Sequence, residues 1–164
     1  MDTLTSLPLV GQLAQALTDR GWMMTTAESC TGGLIAAACT ELAGSSIWFD
    51  RGVVTYSNEA KVDLLGVPAP LIAQHGAVSE AVAKAMAQGA LAQSKAQIAV
   101  AVTGVAGPGG GSPDKPVGTV WLAWALSNGL VQAECQVFGG DRAAVRSATV
   151  LCALRGVLDR SGLI

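Results

Sequence analysis

The chain has 164 residues, of which 51% are hydrophobic and only 13% charged, with a formal net charge of -2; its mean hydropathy is +0.45. That length supports one domain with a real core, and no apolar run approaches the roughly eighteen residues that a membrane span needs. Ten basic residues spread along the chain leave no electrostatic footprint for nucleic acid.

The opening MDTLTSLPLVGQLAQ has no basic region ahead of an apolar core, so no signal peptide is expected and the cytoplasm is the expected compartment. Within it, residues 8–20 place Val10, Leu13, Ala14 and Leu17 at helical spacing, and Gly21 offers a left-handed cap. Residues 22–27 read as a strand. Leu34 to Leu42, Ala-rich after two glycines, reads as a helix whose first turn lies within CTGG, giving a strand, tight loop and helix. RGVVTYS is a second strand, and SNEAKVDLLG a short helix with Ser57 or Asn58 as N-cap and Gly66 at its end. PAP marks a turn. Ser79 then opens a helix that buries Val82, Met86 and Leu91, with Gly89 as a weak point.

QIAVAVTG is a continuous apolar strand of the kind found at the centre of a parallel sheet. A long loop, GVAGPGGGSPDKP, leads to VGTVWLAWAL, and SNG separates that run from LVQAECQVF, which predicts an antiparallel hairpin. Gly139-Gly140-Asp141 introduces a last helix from about Arg142 to Leu158. The alternation predicts a single-domain three-layer α/β/α sandwich over residues 1–164, with a mixed, largely parallel sheet and a C-terminal antiparallel hairpin. Cys30, Cys39, Cys135 and Cys152 form no CxxC pair and join no histidine cluster, so reduced thiols and no metal site are expected.

Ligands of open α/β sheets gather beyond the carboxyl ends of strands. Four polar or glycine-rich segments follow apolar strands: ESCTGG, TYSNEAK, TGVAGPGGGSPDKP and GGDRAAVR. Ser29, at a strand-to-helix turn, faces helix N–H groups able to hold a phosphate or an oxyanion, which makes it a candidate nucleophile. Helix capping by Glu28, Ser29 and Thr31 explains the same residues equally well. Cys30 is a rival nucleophile, though a lone cysteine in this setting is more often structural.

A serine needs a base. His75, the one histidine, lies in a turn before a helix and reads as a packing or capping residue. Lys61, early in a helix, would have its charged form disfavoured by dipole and burial, and Tyr56 could hold it or relay a proton; a solvated lysine and a core tyrosine are the competing reading. Arg142 and Arg146 stand one helical turn apart near a helix start, where an anion would offset the dipole, or they face solvent.

Taken together, TTAESCTGG, GSSIWFDRGVVTYSNEAK, AQHGAVSE, TGVAGPGGGSPDKPVGTVW and GDRAAVR resemble the CinA C-terminal domain family, from about residue 7 to 158. The resemblance implies hydrolysis of the carboxamide of nicotinamide mononucleotide to nicotinate mononucleotide and ammonia, the activity of the family's stand-alone members in pyridine nucleotide recycling. It implies no metal and no cofactor, and a homodimer. Ser29, Lys61 and Tyr56 fall at the motif serine, lysine and tyrosine. On this reading Lys61 is the base, Ser29 the nucleophile, N–H groups of the CTGG turn the oxyanion donors, and Tyr56 a proton source for ammonia. Thr31, Gly32, Gly33, Thr103, Gly104 and Arg142 are expected around ribose and phosphate, with Glu28 and Cys30 also counted among the substrate contacts. Many family members carry an additional N-terminal domain for which this chain has no room, which favours the dedicated amidase. The alternative is a non-catalytic nucleotide-binding or interaction module, because such domains are also linked to competence and recombination.

Overall fold

A computed structural model describes residues 3–162. Six helices and five strands follow in the order α1 (Thr3–Arg20), β1 (Met24–Glu28), α2 (Leu34–Thr40), β2 (Phe49–Val54), α3 (Asn58–Leu65), α4 (Ala69–His75), α5 (Glu80–Ala92), β3 (Ile98–Gly104), β4 (Thr119–Leu126), β5 (Val131–Val137) and α6 (Arg142–Arg160). The sheet order is β2-β1-β3-β4-β5. Strands β2, β1 and β3 pair in parallel, whereas β4 runs antiparallel to both β3 and β5. The carboxyl ends of β1, β2, β3 and β5 therefore all open on one edge of the sheet.

Strand alternation builds the two layers around this sheet. On one face, Met24, Ile98, Val100, Val102, Leu122 and Trp124 meet the buried residues of α1, α2 and α6. On the other, Ala27, Ala99, Ala101, Ala123 and Ala125 meet α3, α4 and α5. The IAVAV run is thus apolar throughout yet two-sided: its large residues face one helical layer and its alanines let α5 lie close on the other.

Caps read from sequence fall where expected. The Ser57, Ser79 and Asp141 side chains accept from Ala60, Val82 and Ala144 N–H, opening α3, α5 and α6, and Gly21 and Gly66 take positive φ at helix ends. Three features differ from expectation. The second strand begins earlier, at Phe49, and stops before Tyr56. The PAP segment starts α4, because Pro68 serves as its N-cap and proline is tolerated in a first turn. Helix α2 begins only at Leu34, since Gly32 and Gly33 both hold positive φ and turn the chain before it.

Gly89 is also more than a weak point. A Cβ there would overlap the Leu65 carbonyl, so glycine is what lets α5 approach the end of α3. An alanine in a helix interior ordinarily stabilises by about 1 kcal/mol over glycine. Here Gly89→Ala should instead lower stability by roughly 1–3 kcal/mol through overpacking, read as a lower urea midpoint. The same contact fixes α3, the helix that carries Lys61.

Helix α6 is held in a comparable way. Gly156 leaves room for the Trp124 indole, whose Nε1 donates to the Ala153 carbonyl at 3.1 Å, and the Arg160 guanidinium stacks 3.7 Å from the indole centroid. The first turns of α6, with Arg142 and Arg146, are thereby placed at the open edge of the sheet.

Candidate active site

Four loops leave that edge, and hydrogen bonds join them into one site. Ser29 follows β1 directly, and its N–H donates to the Val102 carbonyl at 3.1 Å, which ties the turn to β3. Lys61, on the first turns of α3, extends inward beneath it. The Lys61 Nζ lies 3.1 Å from Ser29 Oγ and donates to the Thr55 carbonyl at 2.7 Å and, more weakly, to the Tyr56 carbonyl at 3.5 Å. Lys61 is 1% exposed and Ser29 8%.

Geometry around Nζ decides what the amine can do. The two carbonyls accept two N–H groups, and the third direction faces the serine hydroxyl. An ammonium would donate along it, whereas a neutral amine would present its lone pair to the hydroxyl proton. Burial holds the Lys61 amine below its ordinary value of 10.5, with the Cys30 thiol acting in the opposite direction. No carboxylate among the described residues forms an ion pair with it. Burial and the lack of a paired carboxylate favour the neutral form.

Glu28 takes the helix-capping place that the sequence offered as one reading, in contrast to the substrate contact also expected of it. Its Oε1 accepts from Thr31 Oγ1 at 2.6 Å, Gly33 N–H at 3.2 Å and Ile35 N–H at 2.9 Å, and its Oε2 accepts from Ala36 N–H at 3.0 Å. The residue is 1% exposed. This carboxylate caps α2 from inside the protein and neutralises the positive end of the helix, so Glu28 is not a substrate contact and the first turn of α2 has no open N–H cradle for a phosphate. Glu28→Ala would strand several buried donors and should cost roughly 2–4 kcal/mol of unfolding free energy, measurable by urea denaturation.

Other side chains named from sequence are likewise engaged internally. Thr31 Oγ1 faces Glu28, and Thr103 Oγ1 donates to the Ala77 carbonyl at 3.0 Å, so neither hydroxyl is aimed at a ligand. Gly104 pairs with Val120 in the sheet, and a Cβ there would press on the Thr119 carbonyl and the Val120 side chain. The Cys30 side chain is buried, which pushes its thiol up to about 11 against the opposing effect of its own N–H, while Glu28 adds to the rise; at neutral pH it keeps its proton and is a poor rival to Ser29. His75 ends α4 and is exposed, its carbonyl accepting from Lys115 Nζ at 3.2 Å.

Tyr56 is 61% exposed, not a core residue. Its phenol oxygen accepts from Arg142 Nη2 at 3.1 Å, while Arg142 Nη1 donates to the Gly107 carbonyl at 2.8 Å. Arg146 binds the Cys30 and Thr31 carbonyls, both at 3.1 Å. The two arginines, with Gly140, Asp141, Ala143, Ala106, Pro108 and Val117, line a cleft of about 620 Å³. That cleft is open to solvent and bordered by two cations, and Arg146 connects it to the serine turn through the Cys30 and Thr31 carbonyls. Arg146 could not have been ranked above Arg142 from sequence, because its partners are main-chain atoms more than a hundred residues away.

An α/β sandwich that buries a serine–lysine pair at the carboxyl ends of parallel strands is the class of protein this architecture defines. The chain belongs to the CinA C-terminal domain family, whose sequence profile matches residues 7–160. It is 54% identical over 151 residues to nicotinamide-nucleotide amidohydrolase PncC of Escherichia coli K12, a match covering 91% of this chain and 90% of that protein. It is 55% identical over 159 residues to the Pseudomonas putida protein of the same name, covering 97% and 98%. The crystal structure of the competence/damage inducible protein CihA from Agrobacterium tumefaciens matches with a TM-score of 0.91 at 51% identity over 93% of each chain. Among the described residues no helix is long and apolar enough to cross a membrane.

Proposed function

We propose that the chain is a nicotinamide-nucleotide amidohydrolase that converts nicotinamide mononucleotide and water to nicotinate mononucleotide and ammonia. The names and coverage of the bacterial relatives support the substrate, and one observation supports the mechanism: the 3.1 Å contact between Ser29 Oγ and a buried Lys61 amine.

Neutral Lys61 takes the Ser29 proton as Oγ attacks the carboxamide carbon. Turn N–H groups then stabilise the oxyanion. Gly32 N–H is occupied by the Ser29 carbonyl and Gly33 N–H by Glu28, which leaves those of Cys30 and Thr31 for this role. Collapse breaks the C–N bond, and the leaving amine gains its proton from Tyr56, whose phenol accepts from Arg142 and so keeps its own hydrogen free to donate; the proton that Lys61 took from Ser29 then passes to the tyrosinate, which restores both the phenol and the neutral amine. Water, deprotonated by the restored Lys61 amine, then attacks the acyl carbon, and Lys61 returns that proton to Ser29 Oγ as nicotinate mononucleotide leaves. Arg142, with the exposed Gly32 backbone near Arg146, takes the ribose and phosphate. The reading includes a cytoplasmic homodimer, for which exposed Ile47, Val54, Leu64 and Val137 supply apolar surface; light scattering tests the dimer.

The direct test is ammonia release from purified nicotinamide mononucleotide, with nicotinate mononucleotide formed in equal amount. Hydroxylamine should divert the acyl-enzyme to a hydroxamate, and free nicotinamide, lacking the phosphate, should react far more slowly. Tight binding of the nucleotide without any ammonia would replace this reading with that of a non-catalytic module.

A further inference from the structure

Arg146 occupies the most demanding position outside the serine–lysine pair. From the second turn of α6 its Nε donates to the Cys30 carbonyl and its Nη2 to the Thr31 carbonyl, each at 3.1 Å. A planar trans peptide points its carbonyl and its N–H to opposite sides. Each carbonyl that Arg146 holds therefore sets the direction of the next N–H in the chain. In the Thr31–Gly32 peptide, that N–H is used internally, on the Ser29 carbonyl at 3.0 Å. In the Cys30–Thr31 peptide, the Thr31 N–H has no acceptor among the described residues, and the Thr31 hydroxyl is engaged separately by Glu28. A cation on the carbonyl oxygen also polarises that peptide and makes its N–H a stronger donor.

We infer that Arg146 is a positioning residue for amide hydrolysis: it orients and polarises the Cys30–Thr31 peptide so that the Thr31 N–H receives the oxyanion formed on Ser29. The inference rests on the reading of Ser29 as nucleophile. Gly32 fits the arrangement, since its φ is +60° and a Cβ there would sit 3.4 Å from Arg146 Nη2. Because Arg146 also borders the cleft, simple substrate binding is the competing role, and the test has to separate ground-state from transition-state effects.

Arg146→Gln and Arg146→Lys would be assayed with nicotinamide mononucleotide beside Ser29→Ala. Two binding measurements accompany them. One uses the mononucleotide bearing an aldehyde in place of the carboxamide: Ser29 Oγ adds to its carbonyl carbon, the π electrons move to oxygen, and the serine proton passes to Lys61. The other is calorimetric binding of the true substrate to Ser29→Ala, with and without Arg146→Gln.

The expected result is a kcat loss of roughly 100-fold for Arg146→Gln. The aldehyde should weaken in parallel, while substrate Kd in the Ser29→Ala background stays within about threefold. A lysine cannot span both carbonyls, so Arg146→Lys should recover little of the loss, and it decides the matter through the aldehyde if Arg146→Gln does not fold. Unchanged kcat, or a KM increase with aldehyde affinity retained, overturns the inference and leaves Arg146 as a cleft contact. Full activity of Ser29→Ala would instead remove the nucleophile reading beneath it.

Discussion

Ser29→Ala is expected to abolish ammonia release from nicotinamide mononucleotide, by at least about 10³-fold in kcat, because loss of the nucleophile removes the covalent route altogether. The nucleotide itself should still bind. Ser29 is 8% exposed and sits in a turn whose main chain is fixed by Val102, Gly32 and Arg146, so deleting one oxygen leaves the frame intact. Two measurements check this together: residual turnover, and substrate affinity by calorimetry. Hydroxamate formation in the presence of hydroxylamine should vanish in the same variant. Turnover near that of the unaltered protein would mean that water attacks the carboxamide directly.

The fold was largely legible because local chemistry and global arrangement agree. Ser57, Ser79 and Asp141 cap helices within three residues of themselves, and SNG closes a hairpin between two apolar runs, so each signal lies close to its effect. What escaped the sequence acts at a distance or through the main chain. Glu28 could be read as a cap, but not its reach to Ile35 and Ala36, seven and eight residues on, beyond the spacing at which an ordinary N-cap is recognised. Tyr56 followed Val53 and Val54 as though it were a strand residue, but the chain leaves the sheet at Thr55 and the ring is exposed. The motif serine and lysine could be named, yet their meeting depends on α3 being carried by Leu65 against Gly89, a packing detail with no signature in TYSNEAK itself.

The correction at Glu28 also alters how the site handles charge. A helix start beside Ser29 suggested a phosphate cradle, but a carboxylate from the same chain occupies it. Positive charge comes from α6 instead, through Arg142 and Arg146 at the cleft, which is why the proposed reading places the anionic end of the nucleotide there and not at α2.

Lys61 carries the second large effect, and pH exposes its role. Lys61→Met, which keeps the unbranched stem as far as Cε but has no basic nitrogen, should lower kcat by roughly 10²- to 10⁴-fold, the range for losing a general base. Lys61→Arg should be nearly as inactive: a guanidinium stays charged and has no lone pair to accept the Ser29 proton. If a fixed positive charge were what the site required, arginine would restore activity and methionine would not. For the unaltered protein, kcat/KM should rise with pH as the amine loses its proton and level off at an apparent pKa below 10.5, since burial holds Lys61 under that value. Stability should follow the same group. Between the lowered folded value and 10.5 the unfolded chain binds a proton that the folded chain does not, so raising the pH through this window favours folding, and the gain is complete once the unfolded lysine has also deprotonated. Lys61→Met should remove that dependence along with the ascending limb of the rate profile. A profile unchanged by Lys61→Met would assign the titration, and the base, to another group.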